Sequence, residues 1–371
     1  MNCRERFLKT MNFEPVDHPV YWEVEGFIGG NYGTNSGSTI DCWKQQGLSI
    51  PIGLDVREYF GFDHFEEGID LCLVGGKPAF REETIEETDE YRVWRAGSGV
   101  TMKRLKKTMC MPQFIDYPIK DRKTWNEYRD RIEECGREVR LDAEKWESYQ
   151  KRLKVRDHAL AISAGGLYGP LRDLTGTEQL SMLFYDDSAL VHEMMEYFME
   201  RFLKNHAHAL KELDINYACI GEDIAFKNGP LISPAMFREF MAPLYKQITA
   251  RLRSHGIKYI FVDSDGDINS LIPLWLECGV NGFYPLEVNA GMDPVQLRKK
   301  YGRDIILLGG VDKMPLIRGD KAAIKAEVMK KLPYLFAQGG YIGGIDHGVP
   351  PDVSFESYSY YAGLVRDVMY G

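Results

Sequence analysis

Residues 257–287 read IKYIFVDSDGDINSLIPLWLECGVNGFYPLE, and their pattern indicates the fold class. It holds two short apolar runs, 259–262 and 282–286, each followed at once by carboxylates. Strands that are apolar throughout are typical of parallel sheets, because both faces of such a sheet are buried. A helical segment separates the two runs, so the stretch predicts a βα unit followed by the next strand.

The same alternation extends along most of the chain. Further apolar runs lie at 159–163, 217–220, 305–308 and 341–345, and Ser233-Pro234, Asp293-Pro294 and Asp320 mark helix starts between runs. Residues 19–24 are a candidate first strand, and another strand is expected between 50 and 75. No G-x-G-x-x-G follows a strand, which disfavours a dinucleotide-binding sheet. We therefore predict an α/β protein of the (β/α)₈ TIM-barrel type.

We expect residues 1–371 to form one domain whose two parts differ in the regularity of their sequence pattern. Residues 1–155 form an irregular, charged N-terminal extension, with a β-hairpin insertion at 91–105 that turns at 96–99, and a polar helical stretch at 123–154. Residues 156–371 carry the regular βα units.

Composition excludes several classes of protein. The net charge of −9 argues against a nucleic-acid partner, since phosphate binding needs clustered Lys and Arg. No apolar stretch approaches the roughly 18 residues that span a membrane, and the start MNCRERFLKT has no apolar core of a signal peptide. The seven cysteines form no C-x-x-C pair and are expected to be reduced thiols. We expect a cytoplasmic protein with no membrane partner.

Carboxylates follow nearly every predicted strand. Because polar residues just past the strand ends line the mouth of a βα barrel, we predict a metal site formed by Asp263, Asp265, Glu287 and His347. Like charges crowded in a cleft favour a bound cation or a proton. Each carboxylate also has a structural alternative: Asp267 and Asp312 as caps, and Glu222 or Asp223 as partners of Arg172 or Lys227. As catalytic residues we predict Glu222, Asp223 and His347.

Residues near the strand ends are candidates for contacting a small substrate. They are Trp22, Glu23, Tyr168 and Tyr284. Tyr168 belongs to the Gly-rich segment 165–169, which follows a strand and suits either an anion-binding loop or a tight turn.

The sequence resembles the uroporphyrinogen decarboxylase superfamily, which includes the methylcobamide:coenzyme M methyltransferases and corrinoid-dependent demethylases. The resemblance covers nearly the whole chain. It rests on Arg4-Glu5-Arg6-Phe7, Glu14-Pro15-Val16-Asp17-His18-Pro19, Gly229-Pro230-Leu231-Ile232-Ser233-Pro234, Leu308-Gly309-Gly310-Val311-Asp312, Gly339-Gly340-Tyr341 and Asp346-His347-Gly348-Val349-Pro350-Pro351-Asp352. It implies a (β/α)₈ barrel with the active site in its mouth.

Two departures from the superfamily bear on activity. Its decarboxylases carry an R-Q-A-G-R segment that holds substrate carboxylates, whereas residues 22–27 here read WEVEGF. Its coenzyme M methyltransferases bind zinc through H-x-C and a later Cys, at positions that here hold Asp263-x-Asp265 and His347. The resemblance therefore implies ligand positions that remain polar but lack thiolates.

These observations lead to one leading hypothesis and two alternatives. The first is a corrinoid-linked methyltransferase that demethylates a small methylated compound, with a divalent metal, zinc being the ion expected, and a corrinoid carried by a separate protein. The second is a decarboxylase or other lyase acting on a substrate smaller than a porphyrinogen. The third is a non-catalytic ligand-binding barrel. A homodimer is one assembly compatible with the sequence.

Overall fold

We describe the protein from a computed structural model. The structure describes residues 1–23, 26–28, 38–64, 66–69, 80–106, 111–138 and 143–371. Val24, the last residue of the expected first strand, and Glu25, the residue after it, lie outside this described part.

The strands are β1 (Glu66–Gly68), β2 (Glu83–Glu87), β3 (Tyr91–Arg95), β4 (Thr101–Leu105), β5 (Gln113–Asp116), β6 (Ala159–Ser163), β7 (Tyr217–Gly221), β8 (Ala225–Phe226), β9 (Gly229–Pro230), β10 (Tyr259–Asp263), β11 (Gly282–Tyr284), β12 (Ile306–Leu308) and β13 (Tyr341–Ile342). The α-helices are α1 (Cys3–Met11), α2 (Thr39–Gln45), α3 (Val56–Phe60), α4 (Arg122–Glu138), α5 (Ala143–Lys154), α6 (Tyr168–Thr175), α7 (Thr177–Asp186), α8 (Ser188–Glu212), α9 (Pro234–Met236), α10 (Ala242–Ser254), α11 (Ile272–Glu277), α12 (Pro294–Tyr301), α13 (Met314–Ile317), α14 (Lys321–Gln338) and α15 (Phe355–Tyr370). A π-helical turn at Phe237–Met241 precedes α10, and short 3₁₀ turns lie at Val288–Ala290 and Gly302–Asp304.

A curled, seven-stranded parallel sheet forms the centre of the molecule. Its strand order is β1-β6-β7-β10-β11-β12-β13, so each strand pairs with the next one that the chain supplies to this sheet. All six apolar runs expected to be strands lie in it, and β1 is the strand expected between 50 and 75. Helices cross between successive strands, as parallel pairing requires.

A complete eight-stranded ladder is not formed by the described residues. The described part of the expected first strand, residues 19–23, contributes one parallel bridge, from Tyr21 to Gly343 beside β13. On its other side, the Tyr21 amide donates to the Asp63 carboxylate at 2.8 Å, and the Tyr21 carbonyl accepts the Asp63 amide at 2.9 Å. The Asp63 side chain thus accepts the hydrogen bond that the Tyr21 amide would otherwise donate to a neighbouring strand. The ladder is therefore interrupted between Tyr21 and β1.

The concave face of the sheet is apolar and is closed at one end by α1. Tyr217, Phe261, Ile306 and Ile342 point inward from alternate strand positions and pack with Phe7 and Met11 of α1. The Phe7 ring lies 5.4 Å from that of Tyr217, the first residue of β7, so α1 covers the amino-terminal ends of the strands. The carboxyl-terminal ends are left to form a site.

The N-terminal part contains the predicted hairpin within a larger sheet. β3 and β4 pair as expected, and β2 and β5 extend them to a four-stranded antiparallel sheet. The predicted helical stretch 123–154 contains two helices, α4 and α5. No helix in the described ranges is long and apolar enough to cross a membrane.

Candidate functional site

The carboxyl-terminal ends of β7, β10 and β11 form the centre of the site. Asp263 is the last residue of β10 and pairs with Gly221 on one side and with Tyr284 on the other. The Asp263 carbonyl accepts the backbone amide of Glu222 at 2.9 Å. The chain leaving β7 is therefore attached directly to the end of β10, which brings the polar segments after both strands together.

Asp265 and His347 form a pair at the open end of the sheet where the carboxyl-terminal ends of the strands lie, which we call the mouth. The Asp265 Oδ1 lies 3.4 Å from the His347 Nδ1, although the two residues are far apart in sequence. Their side chains are 40% and 38% exposed, so both can reach a molecule from solution. The Asp265 amide also donates to Asp223 Oδ1 at 3.3 Å, which fixes the start of the segment that follows β10.

Glu287 reaches the same segment from the end of β11. Its Oε2 accepts the amide of Gly266, the residue after Asp265, at 3.0 Å. The preceding residue, Leu286, is buried and has φ +65°, a left-handed conformation that is strained for a branched side chain. Packing around Leu286 holds this conformation, and the strained turn directs Glu287 toward Asp265.

The predicted metal ligands are thus only partly assembled. Asp265 and His347 are in contact, Glu287 is bound to the adjacent amide, and Asp263 lies at the strand end below them. Among the described residues, the mouth does not bring three such donor atoms within 4.8 Å of one another. The donors that are present, carboxylate oxygen and imidazole nitrogen, suit a divalent ion such as zinc, manganese or iron.

Glu222 has a structural environment beneath the mouth. Its carboxylate is buried and accepts four hydrogen bonds: from the amides of Leu167, Tyr168 and Gly169 at 2.7–3.0 Å and from the Tyr245 hydroxyl at 2.6 Å. Burial raises the pKa of Glu222 above its ordinary value, and the four donors partly oppose this. The Gly-rich segment therefore binds the protein's own Glu222 carboxyl group at the start of α6.

Close backbone approach explains the glycines of this segment. A Cβ atom at Gly166 would stand 2.0 Å from the Gly221 carbonyl oxygen, and one at Gly169 would stand 2.7 Å from the Glu222 carbonyl oxygen. The segment can reach the end of β7 only without side chains at these two positions.

Asp223, unlike Glu222, is open to the mouth. Its side chain is 47% exposed, and its Oδ2 lies 3.4 Å from the Arg172 guanidinium, which also donates to the Asp223 carbonyl at 2.6 Å. The residue adopts φ +45°, which an Asp side chain tolerates better than most. The expected alternative, a salt bridge with Arg172, is confirmed.

The four expected substrate contacts lie at different depths. Trp22 and Tyr168 are buried, and so is Glu23, whose Oε1 accepts the Ile345 amide at 2.6 Å and whose Oε2 accepts the Tyr358 hydroxyl at 2.8 Å. Through these two hydrogen bonds, Glu23 links the chain after β13 to α15. Tyr284 is half-buried inside the sheet, where its hydroxyl lies 2.8 Å from the Cys219 sulfur.

Cys219 and Lys313 were missed as site residues by sequence reasoning, whereas Asp346, the partner of Lys313, is one of the carboxylates expected after the strand ends. Cys219 stands two residues after inward-facing Tyr217, so strand alternation could have identified it. Asp346 is fully buried, accepts the Val288 amide at 2.9 Å and lies 3.2 Å from the Lys313 ammonium. Burial raises the pKa of Asp346. The expected capping role of Asp312 is confirmed, because its Oδ1 accepts the Met314 amide at 2.8 Å.

Comparison with known proteins agrees with the resemblance in the sequence. No curated protein sequence matches the chain. Among solved structures, the chain is similar to a methyltransferase from Methanosarcina mazei, with a TM-score of 0.59 and 15% sequence identity over 99% of each chain; at this identity the likeness shows the fold alone. The family model for uroporphyrinogen decarboxylase (URO-D) matches residues 149–368, which is more than half of the chain. The chain therefore belongs to the URO-D family.

Proposed function

We propose that this protein transfers a methyl group from a small methylated compound to a corrinoid carried by a separate protein. In this reaction the bond between the methyl carbon and its oxygen or nitrogen breaks, a carbon–cobalt bond forms on a Co(I) acceptor, and the leaving atom gains a proton. The observation that carries the proposal is the exposed Asp265–His347 pair within an acidic mouth. The overall likeness to a methyltransferase agrees with it.

The charges around the mouth favour this reaction over porphyrinogen decarboxylation. A substrate with many carboxylates needs cations that are free to bind them. Arg172 is paired with Asp223 and Asp173, and Lys313 is paired with Asp346. A substrate with little negative charge meets no such obstacle, because it does not add to the repulsion among the carboxylates of the mouth.

Asp265 and His347 would hold a divalent metal, with Glu287 and Asp263 as further candidate donors. Such an ion supplies Lewis-acid chemistry, drawing electron density from the leaving oxygen or nitrogen. Its charge would also offset the repulsion among these carboxylates. Asp223 is the candidate for passing a proton from solution to the leaving atom, since its half-exposed side chain reaches the mouth, whereas the carboxylate of Glu222 is enclosed by four donors.

The test is a methyl-transfer assay with the full-length protein, free cob(I)alamin and a panel of methylated amines and ethers. We expect disappearance of cob(I)alamin absorbance that requires a divalent metal and is lost in His347→Ala. Glu200→Gln, an exposed change on α8, serves as the control and should retain the activity.

Two results would contradict the proposal. One is equal methyl transfer by the parent and His347→Ala. The other is decarboxylation of uroporphyrinogen at an ordinary enzymatic rate, on the order of 1 s⁻¹ or more, which would favour the lyase alternative instead.

A further inference from the structure

A second cluster of metal-ligating side chains lies at the opposite end of the sheet from the mouth. His64 stands two residues before β1, and Asp157 and His158 stand directly before β6. β1 and β6 are parallel neighbours, with Glu66 opposite Ala159, so their amino-terminal ends bring the three residues together. Five-residue β6 spans roughly 16 Å at about 3.3 Å per residue, which separates this cluster from the mouth.

We propose that His64, Asp157 and His158 bind one divalent transition-metal ion. One donor atom from each of the three lies within 4.8 Å of the other two, the sole such group among the described residues. Asp157 Oδ1 lies 3.5 Å from the Nδ1 of His64 and 3.1 Å from the Nδ1 of His158. A tetrahedral ion with ligands at about 2.0–2.1 Å places its donors roughly 3.3 Å apart. The spacing of Asp157 from each histidine therefore matches the spacing between two ligands of a zinc-type site.

The surroundings of His158 support the assignment. While its Nδ1 faces Asp157, its Nε2 lies 3.1 Å from Glu67 Oε2, and Glu67 is in turn paired with Arg152. Metal-bound histidines usually donate their second ring N–H to a carboxylate, which fixes the ring and strengthens it as a ligand. The buried His158 is held in this way, whereas His64 and Asp157 are exposed and leave room for a solvent ligand.

Two of the three proposed ligands are imidazoles, and this decides the class of metal. The rings of His64 and His158 lie 3.9 Å apart between centroids. Imidazole nitrogen favours zinc, cobalt, nickel or copper over magnesium and calcium. We therefore assign the site to that class of metal.

The experiment is calorimetric titration of full-length, chelator-treated protein with Zn²⁺. It is done in an Asp265→Asn/His347→Ala background, so that the mouth proposed above cannot account for binding. We expect about one equivalent of Zn²⁺ to bind, and His64→Ala to weaken binding by at least about 10-fold. Glu67→Gln, which alters only the residue that positions His158, should weaken binding to a smaller extent.

His208→Ala is the matched control, because His208 is also a partly exposed histidine beside a carboxylate, Glu212, but without a second imidazole. It should leave Zn²⁺ binding unchanged. Asp157→Asn provides a second test in an exposed position, where the substitution leaves the core intact. Zn²⁺ affinity that is the same in His64→Ala, Asp157→Asn and the background protein would overturn the proposal, whatever the mouth is found to do.

Discussion

Replacing Glu23 by Gln should change how the stability of the protein depends on pH. Burial raises the pKa of Glu23 from 4.5 to about 7, with a smaller contribution from the charge of Asp346. The folded protein therefore holds this proton more tightly than the unfolded chain does. The stabilisation is fully present below about pH 4.5 and is lost as the pH rises through about 7.

The size of the effect follows from the two pKa values. A difference of one unit corresponds to about 1.4 kcal/mol, so the free energy of unfolding should fall by about 3 kcal/mol across this window because of Glu23 alone. Gln is shaped like the protonated acid: its carbonyl can accept the Ile345 amide, and its amide can donate to the Tyr358 hydroxyl oxygen. Glu23→Gln should therefore match the parent at about pH 4 and exceed it by about 3 kcal/mol at about pH 8.

The assay is thermal unfolding of the parent and Glu23→Gln over this pH range. For 371 residues the entropy of unfolding is roughly 0.8 kcal/mol/K, so the two melting temperatures should separate by about 4 °C at the alkaline end. The difference between the proteins cancels the titration of other groups. Glu200→Gln, with the same chemical change at an exposed site, should follow the parent. Melting curves for Glu23→Gln that stay parallel to those of the parent would refute the reasoning.

Three further predictions concern the mouth. Glu222→Ala leaves three amides and a hydroxyl without their acceptor and should cost about 4 kcal/mol or more, measured by urea unfolding; an unchanged midpoint would contradict the structural role. Gly166→Ala should destabilise by about 1–3 kcal/mol, because its Cβ would meet a backbone oxygen, whereas Gly363→Ala on α15, with open space, should not. Glu287→Gln keeps an acceptor for the Gly266 amide but loses a charge, so Zn²⁺ affinity at the mouth should fall roughly 10-fold in calorimetry. A higher melting temperature of Glu287→Gln than of the parent in chelator, with no metal response in the parent, would instead indicate a purely structural carboxylate.

Local pattern in the sequence was sufficient for the order of strands and helices. Runs such as 259–262 are apolar at every position, and a run of this kind is stable only where a sheet is covered on both faces. The shared position of the acidic residues that follow these runs could also be predicted, because the carboxyl ends of parallel strands lie at one edge of the sheet. Within the described residues 19–23, the expected strand makes one bridge, because Asp63, distant in sequence, takes the backbone amide of Tyr21.

The contacts of each polar side chain depend on the tertiary structure and do not follow from local pattern. Glu222 and Asp223 are adjacent in the sequence and equally acidic, yet one is enclosed by four donors from α6 and α10 and the other faces the mouth. Asp265 meets His347, and His64 meets His158, across separations that no local pattern encodes. The sequence by itself determines which residues form strands and where carboxylates follow them, because these depend on neighbours along the chain. Burial and partners depend on which strand ends are adjacent in space, and the curl of the sheet sets that adjacency.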